Sequence, residues 1–335
     1  MKEINMAQNS NKGKVTLYAA GGCGINIASK LLKYENNSVA GFADLEVVFL
    51  DTSHANLDRN QQHDKTYVVD GLDGSGKIRA ENHKQIGECI LDILQSFKPT
   101  DLNIVLSSGS GGSGSVISPS LVQELLLRNL PTIVITVGST DSRIELENTI
   151  KTLKSYDAIA QIRKAPVNSI YFENSKESSR KENDKEITTN ILALMALFSK
   201  ENKELDSSDL HNWLFYNRVT SYDPHLSHLD LYPGEVKVNK PKTVISVATL
   251  LLDGEDTSTN ANLEYQCVGY TSKEVMENFE TKLPLHFGIV DGVFTEISKR
   301  LNKMLVDFDE EKKARLMHSS ITSEKDKPTS IGLVL

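Results

Sequence analysis

Short apolar runs and amphipathic stretches alternate along the first half of the chain. Val15-Thr16-Leu17-Tyr18-Ala19-Ala20, Val47-Val48-Phe49-Leu50, Thr66-Tyr67-Val68-Val69, Asn103-Ile104-Val105-Leu106, Thr132-Ile133-Val134-Ile135-Thr136-Val137 and residues 167–172 have the length and composition of buried strands. Between them apolar residues recur at helical spacing: Ile27, Leu31 and Leu32, then Leu121, Val122, Leu125, Leu126 and Leu127, then Ile144, Ile150, Leu153 and Tyr156. These predict a helix after residue 24, one from Pro119 to near Asn129, and one over 141–160. The alternation predicts a parallel sheet with helices on both faces. A longer helix over 182–200 carries Ile187, Ile191, Leu192, Leu194, Met195, Leu197 and Phe198 on most of its sides. It should lie buried between two layers. From residue 243 the pattern changes to strands 243–250, 263–269 and 285–289 around one helix, 272–279, which reads as a smaller α+β unit. A last helix over 292–317 leads into a polar run, 322–330, and the apolar end Ile331-Gly332-Leu333-Val334-Leu335. The fold class is α/β: a Rossmann-like domain with a parallel sheet, a long central helix, a smaller α+β C-terminal domain, and a C-terminal helix and tail. The expected division is a disordered tail over 1–13, the first domain over 14–181, the central helix over 182–200, a loop and helix over 201–220, the α+β domain over 221–291, and the last helix and tail over 292–335.

Glycine marks the ends of these strands. The main stretch is Ser107-Ser108-Gly109-Ser110-Gly111-Gly112-Ser113-Gly114-Ser115, set between a buried strand and an amphipathic helix. Glycines there let successive backbone N–H groups turn toward one point, and a helix N-terminus adds partial positive charge. Ser113 and Ser115 can add hydroxyl donors. That is a phosphate cradle; a flexible Ser/Gly linker has no reason to sit between two packed elements. Gly21-Gly22-Cys23-Gly24-Ile25-Asn26 follows the first strand as a second glycine turn. It lacks the third glycine of a dinucleotide fingerprint, yet Asp51 after the second strand leaves a nicotinamide-dependent oxidoreductase as an alternative. Gly71-Leu72-Asp73-Gly74-Ser75-Gly76-Lys77-Ile78 is close to a P-loop, but Ile78 stands where Ser or Thr would hold magnesium. A loop closing over phosphates from the side fits it better. All these loops fall at carboxyl ends of predicted parallel strands, where such sheets bind ligands.

Composition narrows the class. The 335 residues suffice for two domains, 39% are hydrophobic, and the net charge is −8. That charge argues against a broad nucleic-acid footprint. The longest apolar candidate, 191–198, is far shorter than a membrane span. The cysteines Cys23, Cys89 and Cys267 show neither metal-ligand nor disulfide spacing, so a reducing cytoplasm is expected, with no protein-held metal. Asp206 is a good N-cap, and Asp209 falls in the first turn of the helix that follows. Capping alone would account for both.

Over roughly residues 14–300 the sequence resembles the tubulin/FtsZ superfamily, most closely its bacteriophage-encoded tubulins. The most specific element is Gly109, Ser110, Gly111, Gly112, Ser113, Gly114 and Ser115, which resembles the family's Gly-Gly-Gly-Thr-Gly-Ser-Gly loop. Ser113 stands for Thr, and Ser110 and Val116 depart from glycine. Gly21, Gly22, Cys23, Gly24 and Asn26 resemble the first nucleotide loop, with Asn26 in the place of a base-contacting Gln. Asp51-Thr52-Ser53 resembles the second loop. Gly74, Ser75, Gly76 and Lys77 resemble the third, which covers the terminal phosphates. The resemblance makes Glu147, or Asp141, the ribose-contacting acid, and Asn183 or Asp184 the guanine reader. Asp206 and Asp209 match the two acids of the Asn-x-Asp-x-x-Asp/Glu catalytic loop, and Glu204 stands where Asn is usual. Their spacing from Asn183-Asp184 agrees with the family's.

The resemblance implies a GTPase that binds GTP/GDP with Mg2+ and stacks head to tail into filaments. Each subunit would complete its neighbour's site. The setting implied is the cytoplasm of an infected bacterium, where the filament positions phage DNA or particles. DNA-segregation or capsid partners would follow, with neither direct nucleic-acid binding nor a membrane. The family also implies a role for the C-terminal tail in subunit contacts. A filament subunit that binds nucleotide without hydrolysing it is a further alternative.

Overall fold

The computed structural model describes residues 12–35, 39–57, 65–175, 178–233, 243–255, 263–279 and 284–316. In chain order the elements are β1 (Lys14–Ala20), α1 (Gly21–Ala28), α2 (Leu32–Glu35), β2 (Asp44–Asp51), β3 (Thr66–Val68), α3 (His83–Ser96), β4 (Leu102–Ser108), α4 (Gly114–Leu127), β5 (Thr132–Ser139), α5 (Arg143–Arg163), β6 (Val167–Asn174), α6 (Arg180–Leu197), α7 (Ser207–Leu214), β7 (Leu226–Pro233), β8 (Thr243–Leu252), β9 (Tyr265–Thr271), α8 (Lys273–Met276), β10 (Leu285–Asp291) and α9 (Val293–Leu316). The strands form one sheet in the order β3-β2-β1-β4-β5-β6-β7-β10-β8-β9.

The first six strands pair in parallel, and their inner members are buried almost throughout. That is why they read as continuous apolar runs rather than alternating ones. Strand order reverses between β1 and β4. The crevice beyond the carboxyl ends of such a pair is the ligand position in open α/β sheets.

The sequence pattern gave no sign of β7. It pairs in parallel with β6 from Val167↔Leu226 to Ser169↔His228, and antiparallel with β10. The smaller α+β half is therefore continuous with the first sheet through one strand. The helix expected over 272–279 shortens to α8. Helix α4 opens at Gly114, five residues before Pro119, so it grows directly out of the glycine stretch.

Helix α6 starts behind a capping box, Ser179 with Glu182, and buries Ile187, Ile191, Leu194 and Met195. On α5 the buried face is Leu146, Ile150, Leu153 and Tyr156, whereas Ile144 is 42% exposed. Ile144 and Ile150 are six residues apart and so lie on different faces of a helix with 3.6 residues per turn. Order begins earlier than the expected tail boundary. Lys12 is buried, pairing with Asp44 at 3.1 Å and donating to the Val39 carbonyl, and Gly13 bonds with Ser199 and Asp44. Residues 1–11, the polar run 322–330 and the apolar end 331–335 lie outside the described residues. Among the described residues no helix is long and apolar enough to cross a membrane.

These burials set a stability contrast. Ile187→Ala should cost about 2–5 kcal/mol by removing buried methyl groups. Ile144→Ala should stay within about 0.5 kcal/mol, as exposed substitutions do. Urea midpoints of the two variants against wild type measure the difference.

Candidate functional site

Four loops meet at the β1/β4 switch point. Ala20, Gly21, Gly22 and Cys23 come from the β1–α1 junction, and Asp51, Ser53 and Asn56 from the end of β2. Gly74, Ser75, Gly76 and Lys77 come from the segment after β3, and Ser108, Gly111, Gly112, Ser113 and Gly114 from the β4–α4 junction. Together they line a cleft of about 210 Å³.

The backbones approach so closely that side chains are excluded. A Cβ on Gly114 would lie 2.6 Å from the Ala20 carbonyl oxygen, and one on Gly112 would lie 2.5 Å from the Ser75 Cβ. These two glycines are required by contact, since neither has a positive φ. At Gly111 a Cβ would meet nothing nearer than 3.8 Å. The N–H groups of the first helical turn have no intrahelical acceptors, so the α4 start offers donors and the positive end of the helix dipole.

Hydroxyls lock the loops together. Ser113 Oγ lies 2.5 Å from Thr52 Oγ1 and 3.0 Å from Ser75 Oγ. Gly74 N–H donates to the Thr52 carbonyl, and Asn82 Nδ2 donates to the Gly74 carbonyl and to Ser75 Oγ. Ser115 Oγ turns back to the carbonyls of Gly111 and Gly112, so it fixes the loop and does not line the cleft. Gly109 and Ser110 also lie behind the lining. Thr152 Oγ1 donates to the Gly109 carbonyl, and Asn148 Nδ2 donates to the carbonyls of Ser110 and Lys77. The Arg79 guanidinium runs along α5 to Asn148 O, Thr152 Oγ1 and Ser155 Oγ, and burial lowers its pKa.

Asp51 is 2% exposed. Its carboxylate accepts from Thr52 N–H at 2.7 Å and Asn56 Nδ2 at 2.8 Å. Burial nevertheless holds its pKa above the usual carboxylate value. Lys77, at φ 65°, donates from Nζ to Glu145 Oε1 at 2.8 Å. Glu145 is the third residue of α5, and its carboxylate also accepts from Ser142 Oγ. Although burial opposes it, the Lys77 and Ser142 bonds keep its pKa below the ordinary value.

A second group borders the cleft at Cys23. Burial, then the nearby Asp184, pushes the Cys23 thiol up to about 12, so it is an inert contact surface rather than a nucleophile. Asp184 pairs with Lys30 at 2.6 Å. Asn183 is 4% exposed and committed: Nδ2 donates to Glu173 O and Asn174 Oδ1, and Oδ1 accepts from Ser178. Of the two expected guanine readers, Asp184 has the more accessible side chain, partly exposed beside Lys30. Asn26 is exposed on α1, outside the lining. Asp141 pairs with Arg180 at 3.6 Å. Glu147 is held between Arg143 and Lys151, and Arg143 reaches Asp309 on α9. The acid of α5 that touches a lining residue is therefore Glu145. Asn56, Asn82, Glu145 and Asn148 were not picked out from sequence as site residues. Asn148 and Thr152 did carry a signal, being polar residues at i and i+4 on the buried side of an amphipathic helix.

Asp206 and Asp209 sit elsewhere. Asp206 lines a separate hollow of about 550 Å³ with Thr100, Asp101, Leu130, Pro131, Lys200 and His211, among others. Those flanks lie at the start of β4 and β5, the opposite end of the sheet from the glycine cleft. The two acids form a capping box on α7. Asp206 Oδ1 accepts from the N–H groups of Ser208 and Asp209, and Asp209 Oδ2 accepts from Asp206 N–H. One oxygen of each carboxylate remains outside the box. Glu204 adopts φ 60°, a left-handed conformation that Asn tolerates better than Glu.

The segment after β3 does not open a helix, since α3 begins only at His83; a P-loop is excluded. Among the described residues no three His, Cys, Asp or Glu side chains converge as a metal site. Among the described residues that line the cleft, Asp51 is the one carboxylate, and it stands with the hydroxyls of Ser53, Ser75 and Ser113. That donor set suits a hard cation that brings phosphate oxygens and water with it.

Comparison with known proteins agrees with this geometry. Residues 14–177 match the family model described as Tubulin/FtsZ family, GTPase domain. The chain is 26% identical over 337 residues to the phage tubulin-like protein of Pseudomonas phage phiKZ, spanning 97% of this chain and 99% of that one. It superposes on the protofilament of TubZ from bacteriophage PhiKZ with a TM-score of 0.81 at 26% identity, covering 96% of this chain and 99% of the other. The structure of the phage tubulin PhuZ with GDP gives a TM-score of 0.84 at 24% identity with the same coverage.

Two outcomes test the cleft as built. Gly112→Val should push the Ser75 side chain and the Lys77 backbone away, removing hydrogen-exchange protection across 74–82, while Gly111→Ala leaves it intact. The raised pKa of Asp51 means that its charge opposes folding. That cost is absent below the unfolded pKa, near 3.9, and complete above the folded value. Asp51→Asn should therefore melt higher than wild type at pH 7, with the difference vanishing as the pH falls toward 4.

Proposed function

We propose that this chain, whose residues 14–177 match the Tubulin/FtsZ GTPase-domain model, is a phage cytoskeletal GTPase of that superfamily that assembles head to tail and completes its active site between subunits. The observation that carries this reading is the separation of its two functional ends. The glycine cleft lies at the carboxyl ends of β1 and β4, and the Asp206 hollow at the amino end of β4. The seven residues of β4 span roughly 20 Å between them. Helix α6 spans about 27 Å over its 18 residues, with Asp184 near one end and the Asp206 loop beyond the other. A carboxylate cannot cross that distance to its own subunit's cleft. A translated copy of the chain would bring it there. Such a contact is heterologous and does not close, so it propagates as a filament.

In this reading the N–H groups at the start of α4 and the hydroxyls of Ser113, Ser75 and Thr52 hold the phosphates. Asp184 accepts from the N1–H and N2–H₂ donors of guanine, an edge that adenine lacks. The neighbour's Asp206 and Asp209 present their uncommitted oxygens to the attacking water, orienting it and accepting its proton. Phosphoryl transfer passes through a loose transition state, so positioning and charge neutralisation carry most of the catalysis. Mg2+ bound with the nucleotide would neutralise phosphate charge, and Asp51 with the hydroxyls of Thr52, Ser75 and Ser113 would hold it. The GDP of the PhuZ structure and the protofilament of the phiKZ protein support guanine nucleotide and self-assembly here. The host cytoplasm as the location, and transport or positioning of phage DNA or particles, extend the same reading. The expected oxidoreductase alternative loses its anchor, because Asp51 is buried against Thr52 and Asn56.

Competition binding should show GTP at least tenfold tighter than ATP, about 1.4 kcal/mol. The acids are best tested as Asp206→Asn and Asp209→Asn, because asparagine still accepts the capping bonds that alanine would lose. Asp209→Asn should bind GTP and form filaments like wild type while releasing phosphate at least a hundredfold more slowly. Wild-type hydrolysis per subunit should rise with protein concentration. A rate per subunit independent of concentration defeats the shared site, and filaments without phosphate release would make the protein a non-hydrolysing subunit.

A further inference from the structure

We propose that the cavity between α5 and α9 is a second ligand site, shaped for a small organic cation: an ammonium group carried on an aromatic or branched apolar body. The site stands apart from the glycine cleft and from the Asp206 hollow and shares no lining residue with either.

The cavity measures about 520 Å³. That is the size of a small-molecule pocket, and its place fits too, at the junction of the first half of the chain with the C-terminal helix. Helices α5 and α9 run antiparallel. Arg143 at the start of α5 meets Asp309 of α9 at 2.7 Å, whereas residues 150–161 face residues 294–301 across the cavity. Arg300 fixes α9 again with two bonds to Glu173 at the end of β6. With the helix held at these points, its first turns stay apart from α5. Ile150, Leu153, Leu226 and Phe294 line the gap, and all four are otherwise buried. Apolar surface beside a gap forgoes the dispersion contacts of a close-packed interior, and an apolar occupant restores them.

Charge selects the occupant. Asp157 of α5 and Asp291 at the end of β10 line the same cavity, and among the described residues neither pairs with a lysine or an arginine. Asp157 accepts from neutral groups, Gln161 Nε2 at 2.8 Å and Leu226 N–H at 3.4 Å. Asp291 Oδ1 accepts from Gly292 N–H and faces His225 Nε2 at 3.3 Å. His225 Nδ1 lies 2.8 Å from the Asp223 carbonyl, which only accepts, so Nδ1 carries the ring proton. In the neutral ring Nε2 is then an acceptor set against a second acceptor, and it is buried without a hydrogen bond. This end of the cavity gathers acceptors with too few donors. An ammonium brings three donors and a positive charge, and its bond to a carboxylate is charge-assisted. Thr295 adds a hydroxyl on the α9 side. The lysines of the rim do not cancel the acids. Lys299 is 70% exposed and pairs with Glu296 at 3.0 Å, and Lys154 is exposed on α5, where its long side chain can turn out into water.

Three probes share one indole body and differ in charge: tryptamine carries an ammonium, tryptophol a hydroxyl and indole-3-propionate a carboxylate. The test is calorimetric titration of the full chain with each, at neutral pH, without nucleotide and below assembly concentrations. Tryptamine should bind at millimolar concentration, tryptophol more weakly, and indole-3-propionate at least tenfold more weakly than tryptamine. The double variant Asp157→Asn with Asp291→Asn keeps acceptors for Gln161 and Gly292. It should lower tryptamine to the level of tryptophol and leave tryptophol within twofold of wild type. Ala158 is an exposed residue of the lining, and Ala158→Trp should fill the cavity and abolish binding of all three, with an unchanged urea midpoint showing that the variant is folded. Equal affinities for tryptamine and indole-3-propionate would overturn the charge preference. Tryptamine binding that survives in folded Ala158→Trp would place the ligand elsewhere, and a wild-type chain that does not bind tryptamine would leave the cavity an unfilled gap; either result overturns the proposal.

Discussion

Four loops must come within contact distance around one cleft, and most of the first half of the molecule serves that approach. Gly114 meets Ala20, and Gly112 meets Ser75 and Lys77, where no side chain fits. Such proximity brings N–H dipoles into register but leaves them repelling one another when no anion is present. The surrounding hydroxyl and amide bonds offset that repulsion. Ser113 ties the second and third loops, Asn82 braces the third from α3, and Asn148 with Thr152 hold the glycine stretch from α5. The parallel sheet supplies the frame, because the carboxyl ends of β1 and β4 diverge at the point where strand order reverses.

The same logic explains what could be read from the chain. Central parallel strands are buried on both faces, so they appear as apolar runs, and the glycines between them mark the cleft without any knowledge of contacts. Strand β7 was illegible for the opposite reason. Leu226-Ser227-His228-Leu229-Asp230-Leu231 neither alternates strictly nor runs continuously, because its two ends face different neighbours, β6 first and then β10. Ile144 illustrates a phase error: spacing by six looks periodic in a list of apolar residues but turns the side chain out on a helix. Glu147 and Glu145 meet different partners although they are close in sequence. Two positions along a helix rotate a carboxylate by about 200°, so the acid that meets Lys77 and the acid that meets Arg143 are chemically alike and spatially opposed.

Asn183 shows a related ambiguity. From sequence it is an amide at the start of a long helix, suited to reading a base. In the fold every polar atom of its side chain is occupied by Ser178, Glu173 and Asn174. It shapes the entrance of α6 and so places Asp184, one residue on, beside Cys23 and Lys30. Position in a motif identified the neighbourhood, and hydrogen-bond occupancy decided which member of the pair retains a free edge.

Asp206 and Asp209 carry both a structural and a chemical reading, and the geometry lets them coexist. A capping box uses one oxygen of each carboxylate, so the first turn of α7 is stabilised while the other two oxygens remain available. The loop before them is fixed at several points. Asn202 donates to the last carbonyls of α6, and Lys203 exchanges backbone bonds with Tyr270 on β9. The phenol of Tyr265, also on β9, donates to the Asp209 carbonyl. The acids are thereby set rigidly relative to helix α6, whose other end carries Asn183 and Asp184. In the proposed stack, a subunit that seats its own nucleotide would orient the same helix that presents the acids to its neighbour. Rigidity makes that presentation reproducible, and distance prevents the acids from acting on the nucleotide of their own subunit. Under the proposed mechanism, an unassembled subunit is a poor hydrolase for steric reasons alone, and no separate inhibitory element is needed to keep it from spending its nucleotide before it joins a filament.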